Sequence, residues 1–412
     1  MRKFLLLLFF IPISLYAQID ITGKIISVEN KSPIPDASVF LSNSKIGDKS
    51  RKDGSFTLRN IKNGRYDLVV SCVGYVPYTK TINVSDENIT LNLIKLTEKI
   101  GELAEVKIKY ESKSDRAKYI RLFTKAFLGD TYNATQCKIV NPNVLNFSYS
   151  KKTGKLFAST SEFLIIDNKA LGYRIKYLVY SFMTDSESGL ISYIGPSIFE
   201  PMTGNLLQEK IWQNNRSKAY KGSTMHFLRS CIANAVDENS FTVRAVISQE
   251  FRPTDSLIMR RISHFRNLPP IADMKDSILY WKKLYNDSLR YWEMIYYIPK
   301  SNKNTSIDRA LMLPEFIKLT NEKGIYAFGH PLRVLSINYN NKVNVIDKRS
   351  SLVTFLEPNT FFDSNGVIFT PQNSLLEGYW ITTRVANQLP VDYELPQEIE
   401  IKQAVTSNHN YK

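Results

Sequence analysis

Four histidines are the first residues to consider for metal chemistry: His226, His264, His330 and His409. A catalytic zinc site needs three His or carboxylate ligands close together and an open position for water. None of these histidines has an acidic residue at ligand spacing, and the HExxH pattern is absent. The sequence therefore predicts no metal site and no cofactor. His226 lies beside Phe227 on a predicted helix, and we interpret it as a structural residue.

No nucleophile of a hydrolase is indicated either. The G-x-S-x-G elbow and the Gly-rich phosphate loop are both absent, and Ser223 is explained as a helix cap. A glycosidase needs only two carboxylates, and no sequence pattern excludes such a pair. Asp185 with Glu187 and Asp273 with Asp276 are candidates, although solvated surface charges explain them as well. No residue is therefore predicted to be catalytic.

Cationic and aromatic residues are better candidates for binding. Residues 215–223 mix basic side chains with a Tyr just before a predicted helix, and a helix N-terminus beside Arg and Lys can hold an anion; an ordinary loop and cap is the alternative. Aromatic faces on the predicted helix 273–295 could stack on sugars or lie at a protein interface, and core packing is the alternative. The candidate binding residues are Arg216, Lys218, Tyr220, Lys221, Trp281, Tyr285 and Trp292.

The first residues predict export. Arg2 and Lys3 precede the apolar run 4–15, and Ala17 supplies the small residue that signal peptidase needs. The run is too short to cross a hydrocarbon core of roughly 30 Å as a helix; an uncleaved membrane anchor is the alternative. We expect a signal peptide at residues 1–17, a periplasmic location, and no transmembrane helix in the mature chain.

The charge of the chain favours anionic partners. The formal net charge is +15, and removing the two basic residues of the predicted signal peptide leaves +13. Basic segments lie at 113–125, 216–221 and 260–266. Such surfaces fit anionic lipid headgroups or acidic glycans, and scattered solvated charges are the alternative. Nucleic acid is not expected as a partner of an exported protein.

The three cysteines do not indicate a disulfide framework. Cys72, Cys137 and Cys231 are far apart and odd in number, whereas exported proteins that depend on disulfides usually have paired cysteines. Burial as small apolar residues is the favoured interpretation. A single bridge is the alternative, and the sequence does not select its pair.

The N-terminal elements are short strands with strong turn signals. Apolar residues alternate over 19–28 and 37–41, Asp53-Gly54 and Asn63-Gly64 predict tight turns, and residues 66–73 are apolar on both faces. Strands at spacings near ten residues predict a small β-sandwich. No reacting group lies among these residues, so this region is predicted to be a scaffold.

Residues 20–95 resemble the carboxypeptidase regulatory-like domain, a transthyretin-like sandwich. The resemblance rests on ITGKIIS, IPDASVFL, DGSFTL, NGRYDLVVSCVGY and ITLNL. It implies a Greek-key-type β-sandwich of the kind that precedes outer-membrane transporter plugs in Gram-negative bacteria. Residues 96–110 also resemble the link that follows the module in those transporters. The resemblance does not extend to a zinc carboxypeptidase, because the metal ligands are missing.

The remaining residues predict a larger mixed domain. Helices are expected from Asp115 to Gly129, after Ser223, and over 273–295, with strands elsewhere. The predicted fold class is mainly β with an α+β second part that contains about three helices. We expect a β-sandwich at 18–95, a linker or extra strand at 96–111, and a mixed domain at 112–412. That domain has a candidate division near 300–306.

Two functions follow from these patterns. The first is a non-catalytic exported cell-envelope protein that binds a protein or glycan partner and associates with the outer membrane. The alternative is a hydrolase of envelope glycans with an unrecognised carboxylate pair. A transporter barrel is not expected, because about 22 strands are needed for one and the residues after the sandwich are too few.

Overall fold

The computed structural model describes residues 19–85, 87–99, 113–248, 254–267, 289, 292–293, 295–297, 305–340 and 348–396. The chain is mainly β, with several antiparallel sheets and shorter helical parts. It divides into two compact units. Among the described residues, the first comprises 19–126 and Lys138–Thr203, and the second comprises Phe127–Cys137 and the residues from Gly204 onward. The predicted domain boundaries stay a prediction, and residues 300–304 of the candidate division near 300–306 lie outside the described residues.

The first unit opens with a β-sandwich. Its strands are β1 (Ile19–Ser27), β2 (Ser38–Leu41), β3 (Gly47–Lys49), β4 (Ser55–Ile61), β5 (Gly64–Ser71), β6 (Tyr78–Val84), β7 (Ile89–Thr90) and β8 (Ile94–Leu96). One sheet has the order β4-β1-β7, with β8 also paired to β1, and the other has the order β3-β2-β5-β6. β1 runs antiparallel to β4 and parallel to β7 and β8.

Strand β5 is central to its sheet, as its two apolar faces predict. Leu68, Val69 and Val70 are each fully buried, and β5 pairs with β2 on one side and with β6 on the other. The turn before β4 is also confirmed: Gly54 has φ +79, and the Asp53 carboxylate accepts from the Ser55 backbone N–H (3.0 Å). Local turn chemistry therefore sets the strand ends of the sandwich.

Gly23 lies within β1, which continues through it; a Cβ there would lie 2.7 Å from Cζ of Phe56, so the glycine makes room for that ring. One local prediction in the sandwich is wrong. The strand β5 ends at Ser71, so Cys72 is only half-buried and Val73 is 83% exposed. The apolar alternation of the sequence runs past the last residue that pairs with a neighbouring strand, so the pattern alone does not show where β5 ends.

The rest of the first unit contains a helix and two further sheets. The helix α1 spans Lys113–Leu128 and ends before Gly129 (φ +96), as predicted. The strands are β9 (Cys137–Ile139), β10 (Leu145–Ser150), β11 (Lys155–Thr160), β12 (Leu164–Asn168), β13 (Tyr173–Tyr177), β14 (Ser181–Asp185), β15 (Ile191–Ile194) and β16 (Ser197–Pro201). One sheet has the order β10-β11-β14-β15 and the other β16-β13-β12-β9. A 3-10 turn at Pro142–Val144 precedes β10.

The sandwich packs on this second part of the first unit. The backbone N–H of Asn43 donates to the carbonyl oxygen of Ser197 (2.6 Å), and the N–H of Phe199 donates to the carbonyl oxygen of Ser44 (2.9 Å). The rings of Phe40 and Phe163 lie 5.7 Å apart. These contacts join a sandwich loop to β16, so the sandwich is continuous with the residues that follow it.

The second unit contains most of the helices. Its helices are α2 (Tyr132–Thr135), α3 (Leu206–Tyr220), α4 (Thr224–Ile232), α5 (Asp255–Arg266), α6 (Leu313–Phe316) and α7 (Tyr379–Thr382). Its strands are β17 (Phe241–Ile247), β18 (Thr305–Ala310), β19 (Ile317–Leu319), β20 (Ile325–Phe328), β21 (Val334–Asn340), β22 (Lys348–Phe355), β23 (Thr360–Asp363) and β24 (Ser374–Gly378). The 3-10 turns are Pro371–Asn373 and Val385–Asn387.

The core of the second unit lies between these helices and a five-stranded sheet of order β18-β17-β21-β22-β24. Phe227 of α4 is fully buried, and its ring packs near those of Phe241 (5.3 Å) and Trp380 (5.6 Å). A second sheet has the order β19-β20-β23. Phe328 of β20 packs edge-on against Phe355 of β22 (4.9 Å), so the two sheets share one apolar core.

The helices are more numerous than the sequence predicts. The α3 and α5 helices were not expected, and residues 215–220, predicted as loop, form the end of α3. The predicted helix over 273–295 lies mostly outside the described residues, although residues 289, 292–293 and 295–297 are helical. No helix in the described ranges is both long enough and apolar enough to span a membrane. The predicted signal peptide and residues 100–111 of the predicted linker lie outside the described ranges.

All three cysteines are free thiols. Cys231 is buried in the core of the second unit, and burial raises its pKa. Burial also raises the pKa of Cys137 to about 12. Cys72 is half-buried, and the same effect raises its pKa more modestly. Of the three cysteines, Cys231 therefore fits the predicted burial best.

Candidate functional site

The predicted basic segment 216–221 lies where α3 ends and α4 begins. Ser223 caps α4, and its Oγ accepts from the backbone N–H of His226 (3.1 Å). This cap was predicted from the Gly-Ser pair. Gly222 precedes it with φ +73, and a Cβ there would lie 2.9 Å from Cδ1 of Tyr339 and 3.0 Å from Cδ of Arg349. The turn therefore requires glycine both for its backbone conformation and for its packing.

Both backbone groups of Gly222 have partners inside the protein. The N–H donates to Nδ1 of His226 (3.1 Å), and the carbonyl oxygen accepts from Nε1 of Trp380 (3.0 Å). Phe227 N–H donates to the carbonyl oxygen of Ser223 (3.0 Å). The N–H groups of Gly222 and His226, which lie beside this helix N-terminus, are thus directed to residues of the chain. The geometry makes this turn a packed junction.

Arg349 of β22 supplies the cation of the junction. Its Nη1 donates to the carbonyl oxygens of Lys218 (3.3 Å) and Lys221 and to the hydroxyl of Tyr379 (2.6 Å). The guanidinium also lies over the Tyr379 ring (4.6 Å). Carbonyls at a helix C-terminus attract cations, so Arg349 fits the end of α3. The prediction did not include Arg349, because it is more than a hundred residues away in sequence.

His226 is buried in an aromatic environment. Its ring lies 4.9 Å from the rings of Tyr220 and Phe241. The pKa of His226 is lowered to about 4, mainly by burial. A hydrogen bond with Asn239 opposes this shift, and the nearby cations Lys221, Arg229 and Arg349 contribute to it. The imidazole is therefore neutral at pH 7 and accepts from Gly222. This supports the structural interpretation of His226.

The predicted binding residues lie in different environments. Lys218 is exposed, whereas Arg216 and Lys221 are half-buried. Tyr220 is only 7% exposed and Trp292 only 8%, so neither offers a broad aromatic face to a ligand. Helical periodicity predicts which residues share a helix face, but it does not show whether that face packs in the core or meets solvent. Trp281 and Tyr285 lie outside the described residues.

Arg229 is a second arginine that the sequence analysis missed. From α4 it donates to the carbonyl oxygens of Asn365 (2.9 Å), Tyr393 (2.7 Å) and Val391 (2.6 Å). It also lies over the Tyr220 ring (5.8 Å). Arg229 thus joins α4 to two later segments. No local pattern identifies such a contact, because the acceptors are backbone carbonyls.

The candidate carboxylate pair at Asp185 and Glu187 forms a turn. The Asp185 carboxylate accepts from the backbone N–H of Glu187 (2.9 Å) and lies 3.8 Å from Nζ of Lys155. The hydrogen bond from Glu187, followed by that from Ser188, lowers the pKa of Asp185. A general acid needs a raised pKa, so Asp185 is unsuited to that role. Asp273 and Asp276 lie outside the described residues. In the described part of the chain, no group of three or more His, Cys, Asp or Glu could hold a metal ion.

The three basic segments differ in their surroundings. In α5, Arg266 forms an ion pair with Glu293 (2.5 Å), and Arg261 lies over the Trp292 ring (6.0 Å). In α1, Lys118, Arg121 and Lys125 are exposed, as Arg260, Arg261 and Arg266 of α5 are. Residues spaced by three and four positions share one helix face. Lys118, Arg121 and Lys125 therefore form an accessible cationic surface on the outer face of α1.

The comparison with protein families identifies the N-terminal part. Residues 21–108 match the CarboxypepD_reg-like domain. The CarboxypepD_reg-like domain covers about a fifth of the chain and agrees with the predicted resemblance. It accounts for the β-sandwich, and its family description is regulatory. No curated protein matches the chain.

Solved structures share only limited likeness with the chain. A type II cohesin–X-dockerin complex from Acetivibrio cellulolyticus has 15% identity and a TM-score of 0.17, over 19% of this chain and 56% of that chain. The minor pilin GBS52 of Streptococcus agalactiae has 14% identity and a TM-score of 0.17, over 20% and 45%. BcpA, the major pilin subunit of Bacillus cereus, has 12% identity and a TM-score of 0.17, over 45% and 69%. The chain spans less than two thirds of the first two proteins, and likeness at these scores carries no function over.

Proposed function

We propose that this chain is a non-catalytic, exported protein of the cell envelope that binds a protein or glycan partner. The match of residues 21–108 to the CarboxypepD_reg-like domain carries this proposal, because that domain is regulatory by description. The residues after it would present the binding surface. The internal partners of His226 and Asp185 agree with a role other than catalysis. Export rests on the N-terminal sequence pattern.

Affinity capture from the native cell tests this proposal. A tagged full-length chain is cross-linked in intact cells, purified from the envelope fraction and analysed by mass spectrometry. We expect a mature N-terminus at Gln18 and at least one envelope protein or glycan enriched over an exported control of similar charge. Recovery in the cytoplasm with an intact N-terminus would disprove export, and no enrichment over the control would disprove the binding role.

Catalysis is tested separately with the same purified protein. We expect no release of soluble fragments from envelope glycans during prolonged incubation. Release that is lost on substitution of a carboxylate would instead support the hydrolase hypothesis.

A further inference from the structure

The aromatic face of α1 fixes how the helix is rotated. Phe123 is fully buried, and its ring lies 4.7 Å from Phe182 and 6.0 Å from Phe147. One turn earlier, Tyr119 is buried, and its ring stacks on Tyr149 (5.3 Å). Side chains on this face hold α1 against the sheet that contains β10 and β14, so the opposite face of the helix is directed to solvent.

Arg116 fixes the start of the same helix. Its Nη2 donates to the carbonyl oxygens of Leu145 (3.1 Å) and Asn143 (3.2 Å). The guanidinium also lies over the Phe147 ring (5.7 Å). The helix is therefore held to the sheet at its N-terminal turn as well as along its apolar face. It presents a fixed rather than a loosely attached outer surface.

The outer face carries cations around an apolar side chain. Lys118, Arg121 and Lys125 are exposed, and Leu122, which lies among them, is 42% exposed. Asp115, in the first turn, is the acidic residue of α1. Lys118 Nζ lies 5.9 Å from the Tyr149 ring. Tyr149 is followed by the turn of the β10–β11 hairpin, which carries exposed Lys151 and Lys152. These two lysines extend the positive surface.

Acidic residues border this surface at Asp115 in the first turn of α1 and again near the hairpin. Asp185 lies across from Lys155 of the hairpin, with the two side chains 3.8 Å apart. The Oγ of Ser186 donates to the carbonyl oxygen of Gly154 (3.1 Å), so exposed Glu187 lies near the hairpin turn. The cationic surface is therefore strongest along α1, and it weakens toward the end of the hairpin.

From this arrangement we infer that the outer face of α1 binds the anionic headgroups of a lipid bilayer, with Leu122 entering the interface. This inference rests on the proposed export, which would bring the protein to an envelope membrane. A convex helix face with several exposed cations suits a mobile layer of headgroups. An exposed leucine among these cations adds apolar contact at the boundary of the acyl chains. Each basic residue near an anionic surface contributes about a five-fold increase in affinity.

Vesicle flotation of the chain from Gln18 onward tests the inference. We expect binding to phosphatidylcholine vesicles that contain phosphatidylglycerol, little binding to phosphatidylcholine alone, and a strong loss of binding at high salt. The variant K118E/R121E/K125E should bind at least about 100-fold more weakly. The control K49E/K52E/K80E changes the charge equally at exposed positions of the sandwich and should retain most of the binding. Equal loss in both variants would mean general charge attraction and would overturn the inference.

The variant Leu122→Ser distinguishes binding to a bilayer from binding to a soluble polyanion. We expect it to weaken vesicle binding several-fold at unchanged charge, with an unchanged circular dichroism spectrum. If wild type binds a soluble anionic glycan as tightly as vesicles and Leu122→Ser has no effect, the partner is a polyanion and the lipid inference is wrong. Absence of vesicle binding by wild type also overturns it, whereas partner capture from cells tests the proposed function independently.

Discussion

Gly222 shows how one residue sets the junction between α3 and α4. Its φ of +73 costs an L-residue about 1–2 kcal/mol, and a Cβ would be too close to Tyr339 and Arg349. Overpacking of this kind adds about 1–3 kcal/mol. We therefore expect Gly222→Ala to lower the free energy of unfolding by about 2–5 kcal/mol, measured by urea unfolding.

Gly324→Ala is the matched control in the same unit. Gly324 also has a positive φ (+79), but the nearest atom to an added Cβ is Oγ of Ser364 at 3.8 Å. Only the backbone cost of about 1–2 kcal/mol should appear there. Tryptophan fluorescence reports this unit, because all four tryptophans follow residue 203. Equal losses for the two variants would contradict the packing argument for Gly222.

His226 makes the stability of the second unit dependent on pH. Its pKa is about 4 in the folded protein and about 6.5 ordinarily. Between these values the unfolded chain binds more protons, so the free energy of unfolding is highest above pH 6.5 and falls as the pH drops toward 4. The expected loss is about 3 kcal/mol. It is measured as urea midpoints by tryptophan fluorescence across this range.

Asn at position 226 retains an acceptor for Gly222 but does not titrate. His226→Asn should therefore remove this part of the acid sensitivity and leave that of His330, whose pKa burial lowers to about 3. An identical profile in wild type and His226→Asn would contradict the assignment.

At the scale of elements, Arg229 joins α4 to the segment after Pro390. Its three hydrogen bonds reach the carbonyl oxygens of Asn365, Val391 and Tyr393. Lys does not have the planar fork of Arg. Arg229→Lys should therefore cost about 1–3 kcal/mol and increase hydrogen exchange in the peptide that contains Tyr393. Arg384→Lys is the control, because the Arg384 Nε bond is to nearby Ile381; equal exchange in both variants would contradict the bridging role.

Sequence patterns predict a turn, cap or helix face well when the residues that form it lie close together in the sequence. The turn at Asp53-Gly54, the cap at Ser223 and the apolar stripe that includes Phe123 all arise within a few residues. By contrast, the sequence pattern does not predict α3, because the first turns of this helix carry exposed Leu206 and Leu207, which give no amphipathic pattern. The Gly222 junction is not predicted either. Arg349 reaches it from a strand that is distant in sequence, and the acceptors of Arg349 include backbone carbonyls, which no side-chain pattern marks.

At the scale of the whole molecule, the sandwich and β16 belong to one compact unit. Leu68 is fully buried in β5, and Leu→Ala at such sites costs about 2–5 kcal/mol. Because Asn43 and Ser44 connect the sandwich to β16, we expect Leu68→Ala to increase exchange in β5 and in β13, which pairs with β16. Hydrogen exchange with mass spectrometry measures both peptides in the full chain, and exposed Leu93→Ala is the control. Faster exchange in β5 alone would show that the sandwich unfolds separately from the strands that follow it.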